Sequence, residues 1–303
     1  MIVLGNQREL IRVETWEDIT TRPGFDGNLN PANQKLASII GQYGFKDQVP
    51  CGLSNCHTLH QRGYIVVTKE GRETNIGKDC GKNYFGVDFE ELSAKFTRDI
   101  REKENREKLW SLSFRLEDVN AQIYSIRGGE FGADWVHKQL TALLHPKTLP
   151  SKILTRLNLM KRTGDSRLLR DREATEEEAS NLEQIAGRRL QRPQYIQEAV
   201  GTIGGLEALY SENDLRALLI VDLEARLKDF AGLDIDSLSF EQLAKWSKWI
   251  GTIDPTVDRA KSAIEAGRRF FTKENLIQLS TALDISSDEH KQLENYVRAL
   301  PKR

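Results

Sequence analysis

Between Gly63 and Ile76 the chain reads as two short strand-like runs, Gly63-Tyr-Ile-Val-Val-Thr68 and Glu73-Thr-Asn-Ile76, split by Lys69-Glu-Gly-Arg72. That pattern predicts a β-hairpin turning on Glu70-Gly71. After Gly86 the period lengthens: Phe89, Leu92, Phe96 and Ile100 recur at helical spacing behind a capping box of Asp88 and Glu91. Arg101 to Lys108 then carries seven charges in eight positions, with Glu102/Arg106 and Glu104/Lys108 acid-first at i,i+4, before Leu109, Trp110 and Leu112 restore apolar character. One long helix with a solvated middle is expected over 88–127. Breaks follow at Gly128 to Gly132, Pro146 and Pro150. Beyond them the punctuation is helical: Thr175/Glu178, Ser239/Gln242 and Ser286/Glu289 form capping boxes, Asp254-Pro255 marks a start, and Gly187 and Gly232 mark stops. In the first fifty residues, Glu9 to Trp16 reads as a strand and Asn33 to Tyr43 as a short helix after Asn30-Pro31.

The expected fold is α+β and predominantly α. A small mixed module, 1–87, carries the hairpin; the charged helix 88–127 connects it to an all-helical domain, 128–303.

Composition narrows the function. The 303 residues are 39% hydrophobic and 29% charged, with a formal net charge of -1, so the chain buries a core without staples and is not a uniformly basic nucleic-acid binder. The densest apolar stretch, Leu215 to Leu223, is broken by Arg216 and Asp222. No membrane span is expected. Met1 to Leu10 lacks the basic and long apolar regions of a secretory signal, which points to the cytoplasm.

All three cysteines, Cys51, Cys56 and Cys80, fall within thirty residues. An odd, clustered set in an intracellular chain points to metal before disulfide. The segment Cys51-Gly-Leu-Ser-Asn-Cys56-His57-Thr-Leu-His60, followed by the hairpin and then Cys80, offers three thiolates and two imidazoles to a tetrahedral zinc. Cys51, Cys56, His60 and Cys80 are the expected ligands. His57 competes with His60, but its side chain diverges from the adjacent Cys56, whereas His60 sits a turn further on and can fold back.

This order of knuckle, hairpin and a last cysteine at a helix start resembles a treble-clef zinc finger over residues 49–86. The resemblance implies that the knuckle and the first turn of the helix share one zinc, bridged by the hairpin. It departs from the usual pattern in the four residues between Cys51 and Cys56, where two are usual, and in having one evident ligand near the helix. Such modules serve nucleic-acid binding, protein docking and, in some branches, nuclease chemistry.

Two basic clusters bear on that choice. Arg62, Lys69, Arg72, Lys78 and Lys82 surround the hairpin, interleaved with Tyr64, Tyr84 and Phe85, as phosphate contacts and a stacking surface require. Lys147 to Arg172 holds eight cations, among them Arg156, Lys161, Arg162, Arg167 and Arg170, against Asp165 and Asp171. That stretch either grips a nucleic-acid backbone or pairs with the neighbouring Glu173 to Glu178. Trp246 and Trp249 form an aromatic stripe best explained by core packing. Phosphate loops, dinucleotide fingerprints, serine elbows and paired acids are missing from the sequence, so no catalytic residue is assigned. The expected function is non-catalytic binding of DNA or RNA by a zinc-containing protein. The alternative is a protein-binding adaptor or inhibitor with a purely structural zinc, such as a phage or mobile element directs at a host machine.

Overall fold

A computed structural model describes residues 2–5, 10–13, 15–32, 34–145 and 147–302. Glu9, Asn33 and Pro146, named above, lie outside that set. The chain divides into two units, Met1–Ser111 with Asp234–Lys248, and Leu112–Leu233 with Trp249–Arg303.

The first unit is built on a five-stranded antiparallel sheet, ordered β2-β1-β3-β4-β5. Its strands are β1 Ile2–Gly5, β2 Leu10–Val13, β3 Leu36–Pro50, β4 Leu59–Thr68 and β5 Glu73–Gly77, with a short helix α1, Glu17–Thr20, before β3. The expected hairpin is β4–β5, pairing Val67 with Glu73 and Gly63 with Gly77. Where a helix was expected over 33–43, residues 36–43 are instead the first half of β3. Ile39, Gly41 and Tyr43 are buried in alternation along it, and pairing with both β1 and β4 satisfies the backbone that a helix would have satisfied internally.

Consecutive residues of β4 point to opposite faces and so divide two cores. Ile65 packs with Ile19, Tyr43 and Val49. Val66 packs with Ile39, Cys51, Ile76, Phe89, Phe96 and Ile100. The last three come from α2, Lys78–Phe114, which starts ten residues before the expected position and is interrupted at Gly86 (φ 53°, ψ -132°). The apolar stripe read from the sequence is therefore the face that covers the sheet, each fully buried side chain contributing about 1.5–3 kcal/mol. The single helix expected over 88–127 is divided, since α2 ends at Phe114 and α3, Leu116–Gly128, begins after Arg115 leaves helical geometry (φ -106°, ψ 11°).

The second unit is mostly helical: α3, α4 Ala133–Leu143, α5 Ser151–Thr163, α6 Glu176–Ala186, α7 Ala225–Ala231, α9 Ile253–Phe270, α10 Lys273–Ile277, α11 Leu279–Ala282 and α12 Ser287–Arg298. The helix α8, Phe240–Ile250, lies in the first unit as far as Lys248. Both sides of the capping boxes at Thr175/Glu178 and Ser286/Glu289 are formed, and Ser239 and Gln242 exchange the same pair of bonds. Asp254 lies inside the first turn of α9, whose N-cap is Thr252. One departure from an all-helical domain stands out. Strands β6, Arg167–Glu173, and β7, Tyr195–Thr202, pair antiparallel. The basic run expected to continue as a helix stops at Gly164, which takes the left-handed conformation (φ 69°) that glycine enters without a Cβ clash, and the chain leaves it extended. Trp249 is buried, its indole N–H donating to the Asp222 carbonyl at 3.1 Å. Among the described residues no helix is long and apolar enough to cross a membrane.

Candidate metal centre

The knuckle is the connection between β3 and β4, and backbone bonds fix it on both sides. Cys51 N–H donates to the Thr58 carbonyl (3.0 Å), Gly52 N–H to Asn75 on β5 (2.8 Å), and Cys56 N–H to Leu53 (3.0 Å). His57 adopts φ 52°, unusual for a residue with a Cβ, and this turns the chain back toward β4. Cys80 arrives from the other direction, as the third residue of α2. The Sγ atoms of Cys51, Cys56 and Cys80 lie within 4.8 Å of one another, close enough to share one metal ion. All three are free thiols. Cys56 and Cys80 are 3.2 Å apart, far beyond a disulfide bond of about 2.05 Å.

Their surroundings give the three sulfurs different acidities. The Thr58 hydroxyl, 3.3 Å from Cys56 Sγ, is the main influence drawing the Cys56 thiol down to about 7. Burial, followed by the hydrogen bond with Cys56, pushes Cys80 up to about 12. Burial also raises Cys51, which has no exposed surface. Near neutral pH the cluster therefore has one thiol that ionises easily beside two that hold their protons, and a bound cation would displace those protons.

Neither imidazole belongs to the group of sulfurs. His60 Nδ1 lies 3.0 Å from the Thr58 carbonyl, which can only accept, so Nδ1 carries the proton and Nε2 accepts from the Tyr43 hydroxyl. Tyr43 in turn accepts from Asn75 Nδ2 (3.2 Å), which also donates to the Pro50 carbonyl (2.8 Å). The result is a chain of polar contacts from buried Asn75 through Tyr43 and His60 to the Thr58 backbone, beside the Thr58 hydroxyl that touches Cys56. Burial raises the Tyr43 phenol above its ordinary range, so it remains a donor. His57 Nδ1 lies 3.2 Å from the Cys51 carbonyl, and its Nε2 has no hydrogen-bond partner among the described residues. Sequence reasoning missed Thr58, Tyr43 and Asn75. Only Thr58, inside the Cys56 to His60 run, lay where a signal for it existed.

The basic positions fall into two groups. Arg62 is exposed on β4, Lys69 at the hairpin turn and Lys78 at the start of α2, and none forms an ion pair among the described residues. Arg72 pairs with Asp26, and Lys82 with Glu90 at 3.0 Å. In the second unit the C-terminal part of the expected patch is answered by acids. Arg167 pairs with Asp165 (2.8 Å), Arg170 with Glu198 (3.6 Å), and Arg172 with both Glu178 (2.8 Å) and Glu198 (3.5 Å). Arg156 donates to the Arg167 carbonyl (3.2 Å), leaving Lys161 and Arg162 exposed without an ion pair among the described residues. The Arg167 and Arg172 guanidinium groups hold Asp165 and Glu178, respectively, down to about 2.

No protein-family model, curated protein or solved structure matches this chain.

Proposed function

We propose that the chain is a non-catalytic nucleic-acid-binding protein of the reducing cytoplasm, in which a treble-clef-like module holds a structural zinc. Cys51, Cys56 and Cys80 supply three thiolates, and an imidazole completes the tetrahedron. His60, favoured by spacing, has to leave Tyr43 to do so, whereas His57 keeps Nε2 open. Cobalt-substituted His57→Ala and His60→Ala proteins separate the two, because loss of the fourth ligand alters the tetrahedral cobalt absorption.

The observation that carries the binding reading is the set of exposed cations without an ion pair among the described residues, Arg62 on β4, Lys69 at the hairpin turn and Lys78 at the start of α2. In the second unit Arg167, Arg170 and Arg172 are each paired with an acid. Exposed cations attract phosphates, and the affinity they confer falls steeply with salt. Zinc acts here by fixing the hairpin against the helix, so that the charges keep their spacing.

The test is fluorescence anisotropy of the zinc-loaded protein with labelled single- and double-stranded DNA and RNA at two salt concentrations. Salt-sensitive binding that is lost on combined reversal of Arg62, Lys69 and Lys78 to Glu supports the reading. Absence of binding to all four probes defeats it and leaves a protein partner as the target to search for.

A further inference from the structure

Within the first unit a cleft of about 750 Å³ runs along one side of α2. Its walls include Lys78, Lys82, Arg98 and Arg101, together with Tyr64 of β4 and Phe240 of α8. We infer that this cleft, lined by four cations of α2 and by the aromatic rings of Tyr64, Phe89 and Phe240, seats a short stretch of single-stranded nucleic acid. The inference rests on the nucleic-acid reading above and adds the place and the form of the ligand.

The helix period explains why these groups share one wall. Beyond the break at Gly86, positions 90, 93, 94, 97, 98 and 101 of α2 return every three or four residues to the same side. Before the break, Lys78 and Lys82 are one turn apart on the segment that carries Cys80. The zinc cluster therefore anchors one end of the cationic row. Acids partly offset it: Asp79 and Glu90 also line the cleft, and Glu90 is bound to Lys82. Lys78 and Arg101 remain without an ion pair among the described residues. Arg98 lies over the Phe240 ring, 5.1 Å from its centroid, so guanidinium and ring form a two-layer platform. A base stacks on either component of such a platform, and the free cations meet the flanking phosphates.

Size and chemistry argue for a single strand. A cleft of this volume falls within the range of small-ligand pockets, about 300–1,000 Å³, whereas a duplex presents grooves about 6 to 12 Å wide that a protein enters and does not itself fit into a pocket. Base faces are available for stacking only when they are unpaired. Tyr64 stands edge-on to Phe89 (5.5 Å between centroids, 85°), which holds its ring in the cleft wall. The hydroxyl of Thr97 and that of Ser93, which donates to the Glu90 carbonyl, add neutral polar groups between the charges.

The experiment uses the full zinc-loaded chain with labelled oligo-dT, oligo-U and a duplex of equal length. Arg98→Gln with Arg101→Gln is expected to weaken single-strand binding at least about tenfold and to flatten its salt dependence, since each lost phosphate contact removes about 0.7 from the slope. Phe240→Leu is expected to weaken binding with the salt slope unchanged. Lys261→Gln, at an exposed position of α9 in the second unit, is the control and binds as wild type. Photocrosslinking of a bromo-uracil oligonucleotide to wild type, mapped by mass spectrometry, is expected at Tyr64 or Phe240 and does not depend on how the variants fold. Wild-type protein that binds no nucleic acid overturns both the inference and the reading beneath it. Wild-type binding that survives Arg98→Gln/Arg101→Gln, prefers the duplex, or crosslinks away from the cleft overturns the cleft alone and leaves the reading standing.

Discussion

The ring of Phe89 lies directly on the α-carbon of Gly81: a Cβ added at Gly81 would stand well inside 3.0 Å of three Phe89 ring atoms. Gly81 follows Cys80 on the first turns of α2, and Phe89 follows the break at Gly86, so the helix folds its own core residue back over the segment that delivers the third thiol. Gly81→Ala forces these two segments apart. The expected cost is about 1–3 kcal/mol, typical of overpacking, together with weaker metal binding because Cys80 moves away from Cys51 and Cys56. Gly128→Ala, where an added Cβ meets nothing within 4 Å, is the comparison and should leave stability unchanged or raised. Chemical denaturation and a chelator competition on both variants measure the two effects, and equal metal affinity would disconnect Gly81 from the site.

Metal removal should act on the first unit and spare the second. Three thiols within 4.8 Å of one another, one of them fully buried, are close enough for one cation to bond all three and tie β3, β4 and α2 together. Structural zinc sites supply on the order of 10 kcal/mol to the folding of small modules. Elemental analysis of the purified chain is expected to find one zinc, and a strong chelator or any of Cys51→Ser, Cys56→Ser and Cys80→Ser to abolish the melting transition of the first unit while the helical unit still melts cooperatively. A wild-type protein without metal, whose melting the chelator leaves untouched, removes zinc from the account.

Local signals in the sequence were readable where local chemistry settles the structure. The turn of the hairpin from Gly63 to Gly77 and the caps at Thr175, Ser239 and Ser286 each depend on residues a few positions apart, and the cysteines show by their chemistry alone. Strand β3 was not readable because Leu36, Ile39, Ile40 and Tyr43 fall at i, i+3, i+4 and i+7, a helical stripe, while the buried position that reveals the alternation is occupied by Gly41. Its real partners, β1 and β4, decide the matter from elsewhere in the chain. The same holds for charge. Arg172 and Glu178 were adjacent enough to be read as a pair, but Glu198, which answers both Arg170 and Arg172, arrives on β7 after an intervening helix. The polar chain of Asn75, Tyr43 and His60 likewise joins three strands and has no signature in any one of them.

The capping box of α6 carries a pH dependence whose sign is set by Glu178. Its carboxylate is held down to about 2, first by Arg172 and then by the Thr175 backbone N–H, against an ordinary value near 4.5. A folded-state value below the unfolded one means that Glu178 stabilises fully above about pH 4.5 and that this contribution is lost as pH falls toward 2. Because about a third of each side chain is open to solvent, added salt should shrink the effect. Glu178→Gln is therefore expected to be less stable than wild type at pH 6 and indistinguishable from it near pH 2. A stability difference that stays constant with pH would assign the role to shape alone and not to charge.

Asn275 is the polar keystone of the second unit. It is nearly buried, its Oδ1 accepts from Gly204 N–H (2.8 Å), and its Nδ2 donates to the Gly204 and Phe270 carbonyls (both 3.0 Å). The amide thus completes the backbone of Gly204 as a strand partner would and ties that loop to the end of α9, while its own N–H is capped by Thr272 (3.3 Å). Asn275→Ala leaves two backbone groups of Gly204 facing a nearly dry interior. Each such group costs about 1–3 kcal/mol, so urea unfolding of the second unit should show a loss of about 2–4 kcal/mol. Asn275→Asp keeps an acceptor for Gly204 N–H but offers the two carbonyls no donor while ionised, and it should be more damaging at neutral pH than in mild acid, where a protonated carboxyl regains one donor. A fall of less than about 0.5 kcal/mol in Asn275→Ala, the range of an ordinary surface change, would mean that water replaces the amide and that the loop is not held by it.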